Sequence, residues 1–102
     1  MLQPILENNL DKVVELCKQH QVEKLYAFGS VCTDRFNDES DVDLLYQFKD
    51  GVSLYDYADN FFDFQFKLED LFKREVDLVS LKNLSNPHFI TVMNRTKTPL
   101  YE

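Results

Sequence analysis

Two short motifs carry the side chains that could do chemistry. Gly29-Ser30 follows the apolar run 25–28, and Asp41 and Asp43 lie at the start of a second apolar run. A Gly-Ser turn exposes backbone amides and a hydroxyl that suit a phosphate. Carboxylates two positions apart on a strand share a face, where they repel each other unless a cation lies between them. Because Mg²⁺ is usually held by one or two carboxylates plus substrate phosphates, this pattern indicates nucleotidyl-transfer chemistry.

Asp77 is the candidate for a third carboxylate. It lies in the sequence 75–81, which predicts a strand, and the apolar residues on both sides of it favour an interior strand. If that strand lies beside the strand of Asp43, the three aspartates could converge on one or two Mg²⁺ ions about 3.5–4 Å apart. Asp77 could then accept the proton of an attacking hydroxyl. The alternative is a set of structural carboxylates, but the spacing Gly-Ser-x9-Ser-Asp-x-Asp-Leu favours the metal site.

Alternating helices and strands position these motifs, which predicts an α+β (mixed α/β) fold. The predicted helices span residues 4–19, 53–73 and 87–95. The predicted strands span residues 23–28, 41–48 and 75–81, with a last edge strand at 98–101. Residues 31–40 are expected to form a loop or a short helical turn. In the last helix, the predicted core residues are Phe89, Ile90, Val92 and Met93.

The long helix carries two apolar stripes. The main stripe contains Leu54, Tyr57, Ala58, Phe61, Phe64, Leu68, Leu71 and Phe72, and the second contains Tyr55, Phe62 and Phe66. We expect this helix to be buried on two sides, by the sheet and by the first helix. The alternative is an exposed aromatic stripe that a partner covers.

Composition limits the classes of protein that fit. A chain of 102 residues with 44% hydrophobic content predicts a single domain over residues 1–102. The net charge of −7 disfavours a groove that tracks nucleic acid. There is no apolar run of ~18 residues for a membrane span and no signal-peptide pattern at the start. Cys17 and Cys32 are expected in the core, and His20 at a helix end. Free thiols favour the cytoplasm.

The motif Gly29-Ser30-x9-Ser40-Asp41-Val42-Asp43-Leu44 resembles the signature of the minimal nucleotidyltransferases (MNT), which belong to the DNA polymerase β-like superfamily. The resemblance extends to the strand before Gly29, to the strand of Asp77 and to the helix that begins after Asn86. It implies a nucleotidyltransferase (pol β-like) fold, with a small mixed sheet packed by helices on one side.

The resemblance also implies an activity and a partner. Minimal nucleotidyltransferases usually transfer AMP from ATP with Mg²⁺ and release pyrophosphate. They often act as antitoxins of an all-helical HEPN protein, on which a tyrosine hydroxyl is the acceptor. By position, Asp41, Asp43 and Asp77 would bind metal and be catalytic. Gly29, Ser30, Ser40 and Arg35 would bind the nucleotide.

The turn after Ser30 departs from the family pattern. Many members continue Gly-Ser-x-Ala-Arg-Gly, whereas Thr33 and Asp34 replace the Arg and Gly here. Arg35 is the candidate to replace the lost cation, although arginine geometry is exacting. The change concerns nucleotide affinity and turnover more than metal binding, since the three aspartates are present.

Three functions therefore remain open at this point. The first is a transferase that modifies a protein partner, and the intact aspartates favour it. The second is an inactive or weak nucleotidyltransferase-fold module that neutralises a helical partner by binding, which the altered turn and the second aromatic stripe favour. The third is a transferase for a small acceptor such as an antibiotic, which the lack of a second domain disfavours. A homodimer and a heteromer are both compatible with the second stripe.

Overall fold

The computed structural model of the chain describes residues 2–102. Its helices are Pro4–Glu7 (α1), Leu10–Gln19 (α2), Leu54–Phe72 (α3) and Pro87–Asn94 (α4). Its strands are Val22–Phe28 (β1), Val42–Phe48 (β2), Val76–Ser80 (β3) and Thr98–Tyr101 (β4). Short 3₁₀ turns at Gly29–Cys32 and Leu81–Asn83 follow β1 and β3. The predicted mixed α/β class is confirmed.

The strands form one mixed sheet in the order β3-β2-β1-β4. β1 pairs antiparallel with β2 and with β4, and β2 pairs parallel with β3. The predicted edge position of β4 is therefore confirmed. β3 is the other edge, so the prediction of an interior strand around Asp77 is wrong, and the Asp77 side chain is exposed. Its apolar neighbours are explained by alternation, because Val76 and Leu78 face the main core.

The main core lies between one face of the sheet and helices α1, α2 and α3. Its fully buried large side chains include Leu6, Val13, Leu25, Val42, Leu44, Phe64 and Leu68. Cys17 and Cys32 are buried free thiols in this core, as predicted. His20 caps α2 and is buried, and its ring nitrogens lie 2.7 Å from the Leu16 carbonyl oxygen and 2.7 Å from the Asp63 carboxylate.

Helix α4 packs against the opposite face of the sheet. Met93 of α4 forms a second cluster with Phe28 and Leu45. Since Leu44 faces the main core, alternation along β2 turns Leu45 to the other face. The expectation of helices on one side only is therefore wrong. Phe89 and Val92 of α4 are exposed rather than in the core, and Ile90 is partly buried.

The predicted first helix is divided into α1 and α2 by Asn8-Asn9. Asn8 caps α1, and the Asn9 side-chain amide donates to the Ile5 carbonyl at 2.8 Å. Asparagine side chains compete in this way with the backbone ladder of a helix. The uninterrupted helix over residues 4–19 is therefore a wrong prediction, although its apolar stripe faces the core as expected.

Helix α3 has the predicted start and end. The Ser53 hydroxyl accepts a hydrogen bond from the Asp56 amide, and Lys73 ends the helix in the left-handed conformation. The second stripe is not buried, because Tyr55, Phe62 and Phe66 are exposed. The expectation of burial on two sides is wrong. Leu54 and Ala58, predicted on the main stripe, are exposed as well.

Within the described part of the chain, no helix combines the length and the apolar character that crossing a membrane requires.

Candidate active site

The parallel pairing of β2 and β3 places two of the predicted aspartates side by side. Asp43 and Asp77 are direct register partners at the start of the two strands. Side chains opposite each other in a sheet share one face. This is the face that α4 covers in part, since Leu45 two residues after Asp43 contacts that helix. The predicted adjacency of the two strands is confirmed.

The charge on Asp43 is held in an unfavourable environment. Partial burial, followed by the charges of Asp77 and Asp41, raises the pKa of the Asp43 carboxyl from its ordinary value of 3.8 to about 6. Asp41 precedes β2 and is exposed. A carboxylate crowded by two others is stabilised when a cation binds beside it.

Gly29 makes room for the Asp43 carboxylate. Its backbone has a positive φ of 75°, which favours glycine. A Cβ atom at this position would lie 2.6 Å from Asp43 Oδ2. The glycine of the Gly-Ser motif is therefore explained by close approach of a carboxylate as well as by the turn.

The Gly29 amide is already engaged by the protein. It donates a hydrogen bond to Thr96 Oγ1 at 2.8 Å, and Thr96 lies just after α4. The amide is therefore not free in this structure, and its assignment to a phosphate stays a prediction. The contact joins the turn after β1 to the end of α4. Sequence analysis missed it because a threonine after a helix carries no signal of a distant partner.

Thr33, which replaces the arginine of many relatives, closes the 3₁₀ turn. Its hydroxyl donates to the Ser30 carbonyl at 2.9 Å, and its backbone amide does the same. It also accepts from the Arg35 amide. The Arg35 side chain is exposed and makes no ion pair within the described residues. The structure therefore leaves the Arg35 guanidinium available without placing it on the aspartates.

The loop before β2 is held by Arg74, which sequence analysis did not select. The Arg74 guanidinium donates to the carbonyl oxygens of Asn37 and Ser40 at 2.9 and 2.7 Å. It also lies over the Phe36 ring, 4.4 Å from the centroid. The Ser40 hydroxyl accepts from the Asn37 amide, so this predicted nucleotide ligand is part of the loop's own hydrogen bonding. The sequence carried no signal for these contacts, because the partners of Arg74 lie 34 or more residues earlier in the chain.

The three aspartates do not form a ready-made metal cage. Within residues 2–102, no group of three or more His, Cys, Asp or Glu side chains is placed to hold one metal ion. Asp43 and Asp77 nevertheless supply the oxygen donors that Mg²⁺ prefers, and such sites are commonly completed by phosphate oxygens and water. The residues therefore fit a metal that enters with a nucleotide.

Comparison with known proteins agrees with this geometry. Residues 11–102 match the family described as Polymerase beta, Nucleotidyltransferase. The chain belongs to this family. A Methanocaldococcus jannaschii protein to which protein adenylyltransferase activity is attributed is 27% identical over 73 residues, which are 72% of this chain and 74% of that protein.

Solved structures share the fold. A protein described as a minimal nucleotidyltransferase superposes with a TM-score of 0.73 and 31% identity, covering 97% of this chain and 96% of its own. A toxin–antitoxin structure with AMP-PNP matches with a TM-score of 0.69 and 21% identity, over 91% of this chain and 73% of that one. The Shewanella oneidensis complex of a tri-AMPylated HEPN toxin with its MNT antitoxin matches with a TM-score of 0.63 and 20% identity, over 93% and 71%. The predicted family resemblance is confirmed.

Proposed function

We propose that this chain is a Mg²⁺-dependent nucleotidyltransferase that transfers AMP from ATP to a hydroxyl group of a partner protein. The observation that supports this most is the pairing of Asp43 with Asp77, together with the raised pKa of the Asp43 carboxyl. Two like charges on adjacent strands, crowded further by Asp41, favour binding of a divalent cation and the nucleotide phosphates that accompany it.

Each residue has a role in this proposal. Asp41, Asp43 and Asp77 hold Mg²⁺, and the turn at Gly29-Ser30 holds the outer phosphates of ATP through the Ser30 hydroxyl and amide. Bound Mg²⁺ would neutralise phosphate charge and lower the pKa of the attacking hydroxyl. Asp77 is exposed at the sheet edge, where an acceptor can reach it and give up its proton.

The bonds balance without any further reactant. The acceptor oxygen forms a bond to the α-phosphorus of ATP, the bond from that phosphorus to the pyrophosphate oxygen breaks, and the hydroxyl proton leaves through Asp77. The products are the AMP ester of the partner and pyrophosphate. Most of the rate enhancement would come from groups that stabilise the negative charge that develops. These are the cation that the aspartates would hold and the Ser30 hydroxyl and amide, with Arg35 as the candidate for a further positive charge.

The partner in this proposal is a HEPN-type toxin, the acceptor is a tyrosine hydroxyl on it, and the chain acts as its antitoxin. The Shewanella oneidensis complex motivates the class of acceptor, because there an AMPylated HEPN toxin is bound to an MNT antitoxin of the same fold. The buried free thiols Cys17 and Cys32 accord with a cytoplasmic location.

Intact-mass spectrometry tests the transfer. The purified chain is incubated with ATP, MgCl₂ and a HEPN-type toxin, and the toxin is examined for added AMP. We expect AMP on a tyrosine of the toxin with the wild-type chain, and none with Asp43→Asn or without metal. Asp38→Asn is the matched control, because Asp38 is an exposed aspartate of the loop before β2. Full transfer by Asp43→Asn would refute the assigned site.

A second candidate is a binding module with a weakened site. It is favoured by the Gly29 amide, which donates to Thr96 rather than facing solvent, and by the loss of the arginine at position 33. In that case the chain would neutralise the toxin when mixed with it in the absence of ATP, and the Asp43→Asn variant would neutralise it equally. Toxin activity measured with and without ATP separates the two functions.

A further inference from the structure

We propose that the exposed aromatic strip of α3, formed by Tyr55, Phe62 and Phe66, is a docking surface for a basic amphipathic helix of the partner protein. The proposal deepens the proposed function. It rests on that function in one respect only, which is that the partner is the protein that accepts AMP. The strip, its charges and its position relative to β3 support the proposal independently.

The strip lies on one side of α3, away from the core. Tyr55, Phe62 and Phe66 are separated by seven and four residues, which places them on one helical face. Their side chains are 94%, 53% and 68% exposed. At 1.5 Å per residue the strip is about 16 Å long, which matches about three turns of a second helix. A strip of large aromatic side chains that are in contact with water is typical of a surface that binds a protein.

The charges around the strip indicate a basic occupant. Helix α3 contains five acidic residues, Asp56, Asp59, Asp63, Glu69 and Asp70, and one basic residue, Lys67. Asp63 already pairs with His20 and Lys67, and Asp70 pairs with Lys73, but the helix still carries more negative than positive charge. Asp59 lies between Tyr55 and Phe62, and within the described chain it makes no ion pair. Lysine or arginine side chains flanking an apolar stripe would complement this face. A second copy would bring acidic strip against acidic strip on chains that each carry a charge of −7, so a homodimer is disfavoured.

The strip lies near the start of the edge strand β3, which carries Asp77 on the opposite face of the sheet. Gln65 donates to the Val76 carbonyl at 3.0 Å, and the Val76 amide donates to Glu69 at 3.1 Å. These side chains lie next to Phe62 and Phe66 on the helix and tie α3 to the residue before Asp77. Because β3 is the edge of the sheet, a partner seated on the strip can extend over that edge and present a hydroxyl to Asp77.

The test measures docking without ATP. The probe is a fluorescent synthetic helix of about five turns (~18 residues), with a leucine stripe bordered by lysines, and a control peptide has glutamate in place of every lysine. We expect the lysine peptide to bind the wild-type chain and the glutamate peptide not to bind. We expect Phe62→Asp and Phe66→Asp each to weaken binding about tenfold or more.

The aspartate substitutions separate apolar docking from simple attraction. Each adds a negative charge, so non-specific binding of a basic peptide would become tighter. Val92→Asp is the matched control, because Val92 is 46% exposed and lies on α4, on the other side of the sheet. The Val92→Asp variant should bind the lysine peptide as tightly as the wild type does. If Phe62→Asp unfolds, as judged by circular dichroism, Tyr55→Asp takes its place, since Tyr55 in the first turn of α3 makes few contacts.

Three outcomes of the peptide-binding and light-scattering experiments would overturn the proposal. They are no binding of the lysine peptide to the wild-type chain, equal or tighter binding by the strip variants, and a wild-type dimer by light scattering that Phe62→Asp dissociates, which would make a second copy the occupant. Docking without AMP transfer would instead refute only the proposed function. Transfer that survives Phe62→Asp and Phe66→Asp unchanged would refute only the docking surface.

Discussion

Replacing Asp43 by asparagine should stabilise the protein in the absence of ligand. The folded state raises the pKa of this carboxyl from 3.8 to about 6, so protons bind the folded state more tightly than the unfolded state. The contribution of Asp43 to stability is therefore fully present below about pH 4 and is lost as the pH rises through about 6. One pKa unit corresponds to about 1.4 kcal/mol, which gives an upper limit of about 3 kcal/mol for the cost of ionised Asp43. Because the side chain is only partly buried, we expect about 1–2 kcal/mol.

Thermal unfolding followed by circular dichroism measures this effect. For a domain of this size, about 1–2 kcal/mol corresponds to a rise in Tm of about 5–10 °C at pH 7.5. The rise should shrink to a small fraction near pH 4, where Asp43 is protonated in the folded wild type. Asp38→Asn, which removes an exposed charge nearby, should leave Tm unchanged at both pH values. A Tm that is unchanged or lower in Asp43→Asn at pH 7.5 would show that burial and the neighbouring carboxylates do not destabilise the ionised form of Asp43.

Three further predictions concern the same site. Gly29→Ala should destabilise the fold by about 1–3 kcal/mol in denaturant unfolding and by more than Gly51→Ala, because both glycines have positive φ but only the Gly29 methyl would meet Asp43; equal losses would refute the close approach. AMP transfer should fall as the pH is lowered through about 6, where protonation of Asp43 competes with metal, and a flat profile between pH 5 and pH 8 would contradict this role. Arg74→Lys should increase amide hydrogen exchange in the loop before β2, because lysine cannot supply the forked donation and the stacking on Phe36; unchanged exchange would show that the loop is held by other contacts.

The order of elements and the pairing of the aspartates were predictable because they depend on local patterns. Alternation located β1, β2 and β3, and Ser53 marked the start of α3. The Gly-Ser and Asp-x-Asp spacing identified Asp41 and Asp43, and a strand-borne carboxylate identified Asp77. The proximity of Asp77 to Asp43 then followed from one assumption, that their strands are neighbours, which the register confirms.

The errors arose where the outcome depends on tertiary packing. Periodicity showed that Phe62 and Phe66 share a face of α3, but it could not show whether another element covers that face. The apolar neighbours of Asp77 are compatible with an edge strand as well as an interior one, because Val76 and Leu78 both face the main core while Asp77 lies on the other face. The contact of Thr96 with Gly29 spans 67 residues of sequence, and the contacts of Arg74 with the loop before β2 span 34 or more. A single sequence carries no signal for contacts at such separations.

The most direct test of the central claim, that the aspartates at the β2–β3 edge form a metal-dependent ATP site, is isothermal titration of ATP into the protein with MgCl₂ and with EDTA. The account predicts binding to the wild type only when Mg²⁺ is present, and no binding to Asp43→Asn, although that variant is the more stable protein. ATP binding of equal strength with EDTA, or to Asp43→Asn with Mg²⁺, would contradict the claim that these carboxylates bind the nucleotide through a metal.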